Sequence, residues 1–219
     1  ATALTLNVSG IAIVGLGSGS NRPTFTLGTA TTATINVSAA NIAISNVLFK
    51  ANLADIASLF TLTTASYFTL DTCEFRDGSS SLNFARIVTT GATSNAADGL
   101  TILNSRWYGL GATANSAVIK MQGTNDRLTV VNNYFAHKST NDAGFMPISS
   151  GKVVTNAVVT DNTFNLVGAT GLTTGTLITT DGTTNSGLIG RNFIQNLDAT
   201  SEILVTASSG FIFSQNFSS

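Results

Sequence analysis

Residues 100–107, Leu100-Thr101-Ile102-Leu103-Asn104-Ser105-Arg106-Trp107, decide how the chain is read, because the chain keeps rewriting them. Apolar residues alternate with small ones, a turn-former follows, and an aromatic closes the phrase three positions later. Copies stand at 42–49, 68–75, 128–135, 157–164, 186–193 and 210–217, with a fainter one lacking the aromatic at 11–18. The closing aromatics are Phe49, Phe75, Trp107, Phe135, Phe164, Phe193 and Phe217, spaced by 26, 32, 28, 29, 29 and 24 residues. A repeat of this length, varied by insertion, marks a solenoid whose units bury their apolar faces only against one another.

The alternation has period two, which calls for strands. Strands recurring at this interval pair with their own copies one coil later. The expected fold is all-β: a single-stranded right-handed parallel β-helix of about 7–8 coils, with 24–32 residues per coil. At ~4.8 Å per coil it would form a rod roughly 35–40 Å long. The unbroken repeat reads as one domain over residues 1–219.

Aligning the copies on the aromatic turns positions into columns. The inward columns hold Ile42/Ile44, Phe68/Leu70, Leu100/Ile102, Leu128/Val130 and Ala157/Val159, with the aromatics as an inward stack. Three residues before the aromatic stand Gly15, Asn46, Thr72, Asn104, Asn132, Asp161, Gly190 and Ser214. Gly, Asn and Asp tolerate a left-handed backbone, so this column predicts a sharp bend, and its Asn side chains can hydrogen-bond from coil to coil. An earlier strand carries Leu6/Val8, Ile35/Val37, Phe60/Leu62, Ile119/Met121, Met146/Ile148 and Ile203/Val205. Ser9, Ser38, Thr63, Gln122, Ser149 and Thr206 follow it as a capping ladder, with Thr89 and Thr179 placed in the same column.

Charged residues make up only 10% of the chain, and ten basic against eleven acidic side chains leave a net charge of −1. That balance speaks against nucleic acid or an anionic membrane as partner. A surface of Thr, Ser, Asn, Gly and Ala suits an extracellular or virion-surface protein. The lone cysteine, Cys73, allows no disulfide within the chain. No apolar run reaches the ~18–20 residues of a membrane span, and no motif calls for a cofactor or a metal. The densest charge lies in the third coil, at Asp71, Glu74, Arg76 and Asp77.

These stacked units resemble the right-handed parallel β-helix superfamily, the pectate-lyase-like fold of polysaccharide lyases, some glycoside hydrolases and phage tailspike proteins. The resemblance covers essentially the whole chain and is one of architecture. It implies either a carbohydrate-active or glycan-binding protein, or a structural surface module. The clustered Asp residues with Gly-His-Gly and Arg-x-Lys that glycosidases of the fold would carry do not occur.

The enzymatic candidates are Asp98 and Asp126, each nine residues before its aromatic and hence in one column. Two carboxylates one coil apart suit glycoside hydrolysis or a cation, but both also sit where Asp caps a turn. Glu74 and Arg106 share a column and suggest an ion pair between coils. His137, Lys138 and Asp142 suggest a binding loop, the bland alternative being a solvated histidine. The outward face of the main strand is nearly uncharged, and Leu103, Val131, Val158, Ile189, Phe211 and Phe213 make it an apolar strip. Such a strip is expected to pack against another subunit. The composite expectation is a non-enzymatic surface or attachment module, phage-like in composition, forming a homo-oligomer (a trimer favoured) or joining another structural protein. A glycan is the alternative ligand. Ice binding is a lesser alternative, suggested by the short column Thr69, Thr101 and Thr129.

Overall fold

Three short strands per coil, with apolar residues on their inward faces, stack into three parallel sheets. The structure, a computed structural model, describes residues 3–30, 34–109, 116–138, 144–166, 177–181, 184–195 and 210–218. The first sheet holds Ala3–Leu6, Thr34–Val37, Phe60–Leu62, Arg86–Thr90 and Ala117–Lys120. The second holds Ala12–Val14, Ala43–Ser45, Thr69–Asp71, Thr101–Leu103, Thr129–Val131, Ala157–Thr160, Ser186–Gly190 and Gly210–Ser214. The third holds Thr24–Leu27, Leu48–Ala51, Glu74–Arg76, Arg106–Tyr108, Tyr134–His137, Thr163–Leu166, Phe193–Gln195 and Phe217–Ser218. Two further pairs, Met146–Pro147 with Ile178–Thr179 and Asn125–Asp126 with Val154–Thr155, complete the later coils. All of these ladders are parallel, and each strand pairs with its copy in the next coil. The result is a parallel β-solenoid of about six turns. That is slightly fewer than the 7–8 expected, because counting aromatics also counts end coils that lack a side among the described residues.

In every coil after the first the chain turns between the second and third sheets through one left-handed residue, Asn46, Thr72, Asn104, Asn132, Asp161, Arg191 and Gln215, with φ between 50° and 60°, whereas Gly15 in the first coil is not left-handed. A single residue in this conformation swings the strand direction sharply enough to start the next side. A second left-handed column, Asn41, Tyr67, Gly99, Arg127 and Asn156, precedes the second sheet. On the outer corner, Asn132 Nδ2 donates to Asn104 Oδ1 at 2.8 Å, and Asn104 Nδ2 donates to Asp71 Oδ1 at 2.8 Å.

The residue after each left-handed bend faces inward. This column reads Val47, Cys73, Ser105, Asn133, Asn162, Asn192 and Asn216, and its last four members form a buried amide ladder. Asn162 shows the pattern. Its side-chain oxygen accepts from the Asn133 backbone and side chain at 3.0 and 2.9 Å. Its own Nδ2 donates to the Val130 carbonyl and to Asn192 Oδ1 at 2.9 and 3.0 Å. Asn192 repeats these bonds towards Asn216 and Val159. Cys73 joins the column by donating its backbone N–H to Ser105 Oγ, and burial pushes its thiol up to about 11.

The aromatic stack holds for Phe49, Phe75, Trp107, Phe135 and Phe164, all buried. Phe49 stacks between Phe25 and Phe75 at 5.7 and 6.0 Å. Phe193 and Phe217 do not join it. Phe193 pairs with Thr163 and Phe217 with Phe193, so both lie in an outward column, 39% and 63% exposed. Ile194 takes the buried position beside Phe164. The expected alignment is therefore shifted by one residue in the last two coils. In that alignment Arg191, not Asn192, would fill the inward site next to Asn162, and an unpaired guanidinium inside the core is far costlier than two exposed rings. Gly187 accommodates the shift: at φ +138° a Cβ there would lie 2.1 Å from the Ala157 carbonyl oxygen.

The serine and threonine ladder of the first sheet is only partly realised. Thr63 Oγ1 donates to the Val37 carbonyl at 3.3 Å. Thr89 pairs with Thr61 and lies outside that column, and Thr206 lies outside the described residues.

Removing one rung of the buried ladder leaves several buried polar groups unsatisfied. Asn162→Ala is expected to cost about 3 kcal/mol in denaturant unfolding, against about 1 kcal/mol for Asn132→Ala on the exposed corner. Equal losses at the two positions would contradict the ladder's role.

Candidate functional site

Asp98 and Asp126 occupy the corner that leads into the second sheet, in neighbouring coils. Their oxygens are engaged by the scaffold. Asp98 Oδ1 accepts the backbone N–H of Asp126 at 2.8 Å. Asp126 Oδ1 accepts from Thr155 Oγ1 and Asn156 Nδ2, both at 2.7 Å. Arg127 Nε stands 3.5 Å from Asp126 Oδ2, while its Nη2 donates to the Tyr67 hydroxyl at 3.1 Å and its guanidinium lies over the Tyr67 ring. The Thr155 and Asn156 donors hold the Asp126 carboxyl below the usual aspartate range. A general acid requires the opposite shift. This geometry makes the pair a corner ladder. Among the described residues, no three His, Cys, Asp or Glu side chains converge as a metal site would require.

Asp161 and Asp181 are used in the same way. Asp161 receives Arg191 Nε and Nη2 at 2.8 and 2.7 Å, which holds its carboxyl low. Asp181 accepts from Ser150 Oγ at 2.5 Å and the Gly151 N–H at 3.0 Å, with the same effect.

His137 overturns both sequence readings, since it is neither in a binding loop nor solvated. It is fully buried, with its ring stacked on Trp107 at 4.5 Å and 10° between planes. Its ring nitrogens have no hydrogen bond of good geometry among the described residues. Burial, partly offset by the nearby Gly144 backbone, pushes its pKa from 6.5 down to about 4. Asp142 lies outside the described residues. Glu74 and Arg106 do share a column, but the salt bridges of Glu74 run instead to Arg22, at 3.3 Å, and to Arg76.

The outward face of the second sheet is uneven. Leu103 and Val131 stand outward and half-buried, and Val158 is 39% exposed. The one-residue shift turns Ile189 and Phe211 inward, where both are buried, and brings Leu188 and Ile212 outward in their place. Phe213 follows Ile189 in the inward column, yet as a member of the last strand it stays 40% exposed. The apolar part of this face is thus the short column Val158, Leu188 and Ile212, the last 66% exposed. Thr69, Thr101 and Thr129 stand in register below it.

The third sheet presents a site that the repeat pattern did not single out. Thr26, Lys50, Arg76 and Tyr108 form one outward column, and Leu48, Glu74, Arg106 and Tyr134 form its neighbour. The first column and Leu48 line an open depression of about 700 Å³, together with Thr24, Asp77 and Gly78. The signal was present as the charge concentration of the third coil. It became a surface only once each charge was stacked on its neighbours. No protein-family model, curated protein or solved structure matches the chain.

The buried imidazole has a consequence for acid stability. Above pH 6.5 His137 is neutral whether the chain is folded or unfolded. Between pH 6.5 and about 4 the unfolded chain takes up a proton that the folded core refuses, so stability falls by about 3 kcal/mol as pH drops. The Asp126, Asp161 and Asp181 ladders are lost only below their unfolded value of 3.8. Thermal melts are expected to show a decline from pH 6.5 to 4 that His137→Phe abolishes. A wild-type melting temperature that stays flat over this window would contradict the assignment.

Proposed function

We propose that this chain is a non-enzymatic structural module of an extracellular or virion surface, a rigid element that self-associates and displays its loops. The closer kinship that fits this reading is with the tailspike-like members of the pectate-lyase-like superfamily. The observation that carries it is the outward apolar column at the C-terminal end of the second sheet, where Val158 and Ile212 are exposed and Leu188 between them is half-buried. Phe193, Phe213 and Phe217 are also exposed in the last coils. An apolar cluster on a flat parallel sheet suits burial against neighbouring copies of the chain gathered around a rotation axis. Asp98, Asp126, Asp161 and Asp181 support the same reading, because the scaffold uses their oxygens to tie coil to coil. The low charge of the whole chain also suits a surface that packs closely against others.

Light scattering coupled to size exclusion tests this. The 22.5 kDa chain is expected to run as a stable oligomer, a trimer favoured, and the Val158→Asp/Ile212→Asp variant as a folded monomer. A wild-type monomer at micromolar concentration would contradict the proposal, as would an oligomer untouched by the double substitution.

A further inference from the structure

The two ends of the solenoid differ from its middle. Nine of the eleven exposed large apolar side chains among the described residues lie in the first coil or the last two. Leu4, Val8, Val14, Leu16 and Phe25 stand at one end, and Phe193, Ile212, Phe213 and Phe217 at the other. The same ends carry the outermost strands. Among the described residues, Ala3–Leu6, Ala12–Val14 and Thr24–Leu27 each pair on one side only, as do Gly210–Ser214 and Phe217–Ser218. An outermost strand leaves backbone N–H and C=O groups without a ladder partner, and proteins usually guard such edges with charge. Here residues 3–21 and 210–218 contain no charged side chain.

The core is open at both ends. In the inward column of the second sheet every member from Ile44 to Ile189 is buried. Its first member, Ile13, is only half-buried, and its last, Phe213, is 40% exposed. In the third sheet Phe25 is 38% exposed, whereas Phe49 behind it is buried. Leu4, Ile13 and Phe25 line an apolar dimple at this end. The two ends also match in register. Carried on by one rung, the second sheet would set Ile13 of a further copy against Phe213, and its Val14 against Ser214. The third sheet would set Thr24 against Phe217 and Phe25 against Ser218. Turning the further copy end for end reverses every strand and loses this register.

We infer that the N-terminal coil of one copy stacks on the C-terminal coil of another, so that the parallel ladders continue from chain to chain in a head-to-tail stack. The open backbone groups gain ladder partners, and Phe213 and Ile13 lose their contact with water. No charge opposes the approach. The contact joins two different surfaces and does not close on itself, so it yields linear stacks of variable length. A single coil edge buries less than the ~1,200 Å² of a stable interface. Stacking is therefore reversible and sets in above the micromolar range. It uses the ends of the rod, whereas the self-association proposed above uses its side, so it does not depend on that reading.

Crosslinking in a Cys73→Ser background tests it. Val14→Cys and Ser214→Cys chains, each with one thiol, are mixed in equal amounts at about 200 μM, where a small contact is populated, and oxidised. In the stack the two thiols sit on neighbouring parallel strands ~4.8 Å apart, within the span of a disulfide. The product joining the two different chains is expected to exceed either like-with-like product about tenfold or more, against about twofold for random collision. In light scattering the mean mass of the wild type is expected to rise with concentration over the same range. Val14→Lys, which charges the exposed edge, should abolish that rise and leave the mass at micromolar concentration unchanged. An excess of the Val14→Cys homodimer would mean head-to-head pairing and overturn the inference. A random product ratio, a flat wild-type mass, or a rise that survives Val14→Lys would overturn it too. The mass at micromolar concentration reports only on side-by-side association, so the two contacts fail separately.

Discussion

One polar constraint governs the later half of the solenoid: from Asn133 onward, the site after each left-handed bend is filled from inside the core by a group that serves the neighbouring coils. In the later coils Asn133, Asn162, Asn192 and Asn216 fill it, and each bridging amide bonds to a backbone carbonyl and to the next amide. An amide matches this site because it carries donor and acceptor on one short planar head, so the column closes on itself without unpaired groups. In the earlier coils Val47, Cys73 and Ser105 occupy the same column. The later coils thus add stacked amides to stacked rings, since Phe135, Phe145 and Phe164 pack together beside Asn133 and Asn162.

The same economy governs charge. With so few ionisable groups, the chain places most of its described carboxylates in bonds between coils. Exposed pairs such as Arg191 with Asp161 add little energy, but they occupy groups that would otherwise repel along a column. What remains unspent is local. The third sheet keeps a cationic and aromatic face around Lys50, Arg76 and Tyr108, while the second keeps an apolar column ending at Ile212.

Much of the fold was legible in the sequence, because period-two alternation and a recurring turn-former constrain strands and bends directly. The left-handed column was read correctly from Asn46 to Asp161, where Asn and Asp advertise the bend. It was misplaced in the last two coils, where Arg191 and Gln215 take the left-handed position and Gly190 and Ser214 offer more conventional turn chemistry. The aromatic was the wrong anchor there. In the pairs Asn132-Asn133, Asp161-Asn162, Arg191-Asn192 and Gln215-Asn216 the constant member is the second, and it marks the buried site. Aligning on it would have placed Ile189 and Phe211 inside and Ile212 outside. The burial of His137 was not legible, since a lone histidine beside Lys138 gives no local sign of the Trp107 ring it stacks on. The third-sheet site was visible only as scattered charge, because its column exists only across coils.

Thiol labelling tests the register of the last coils directly. In a Cys73→Ser background, which removes the chain's one cysteine, Phe193→Cys and Ile194→Cys are treated with a maleimide under native conditions. Rapid modification is expected at position 193, where Phe193 is 39% exposed, and strong protection at position 194, where Ile194 is buried. Protection at 193 with rapid labelling at 194 would mean that the aromatic, not the asparagine, sets the register, and would contradict that expectation.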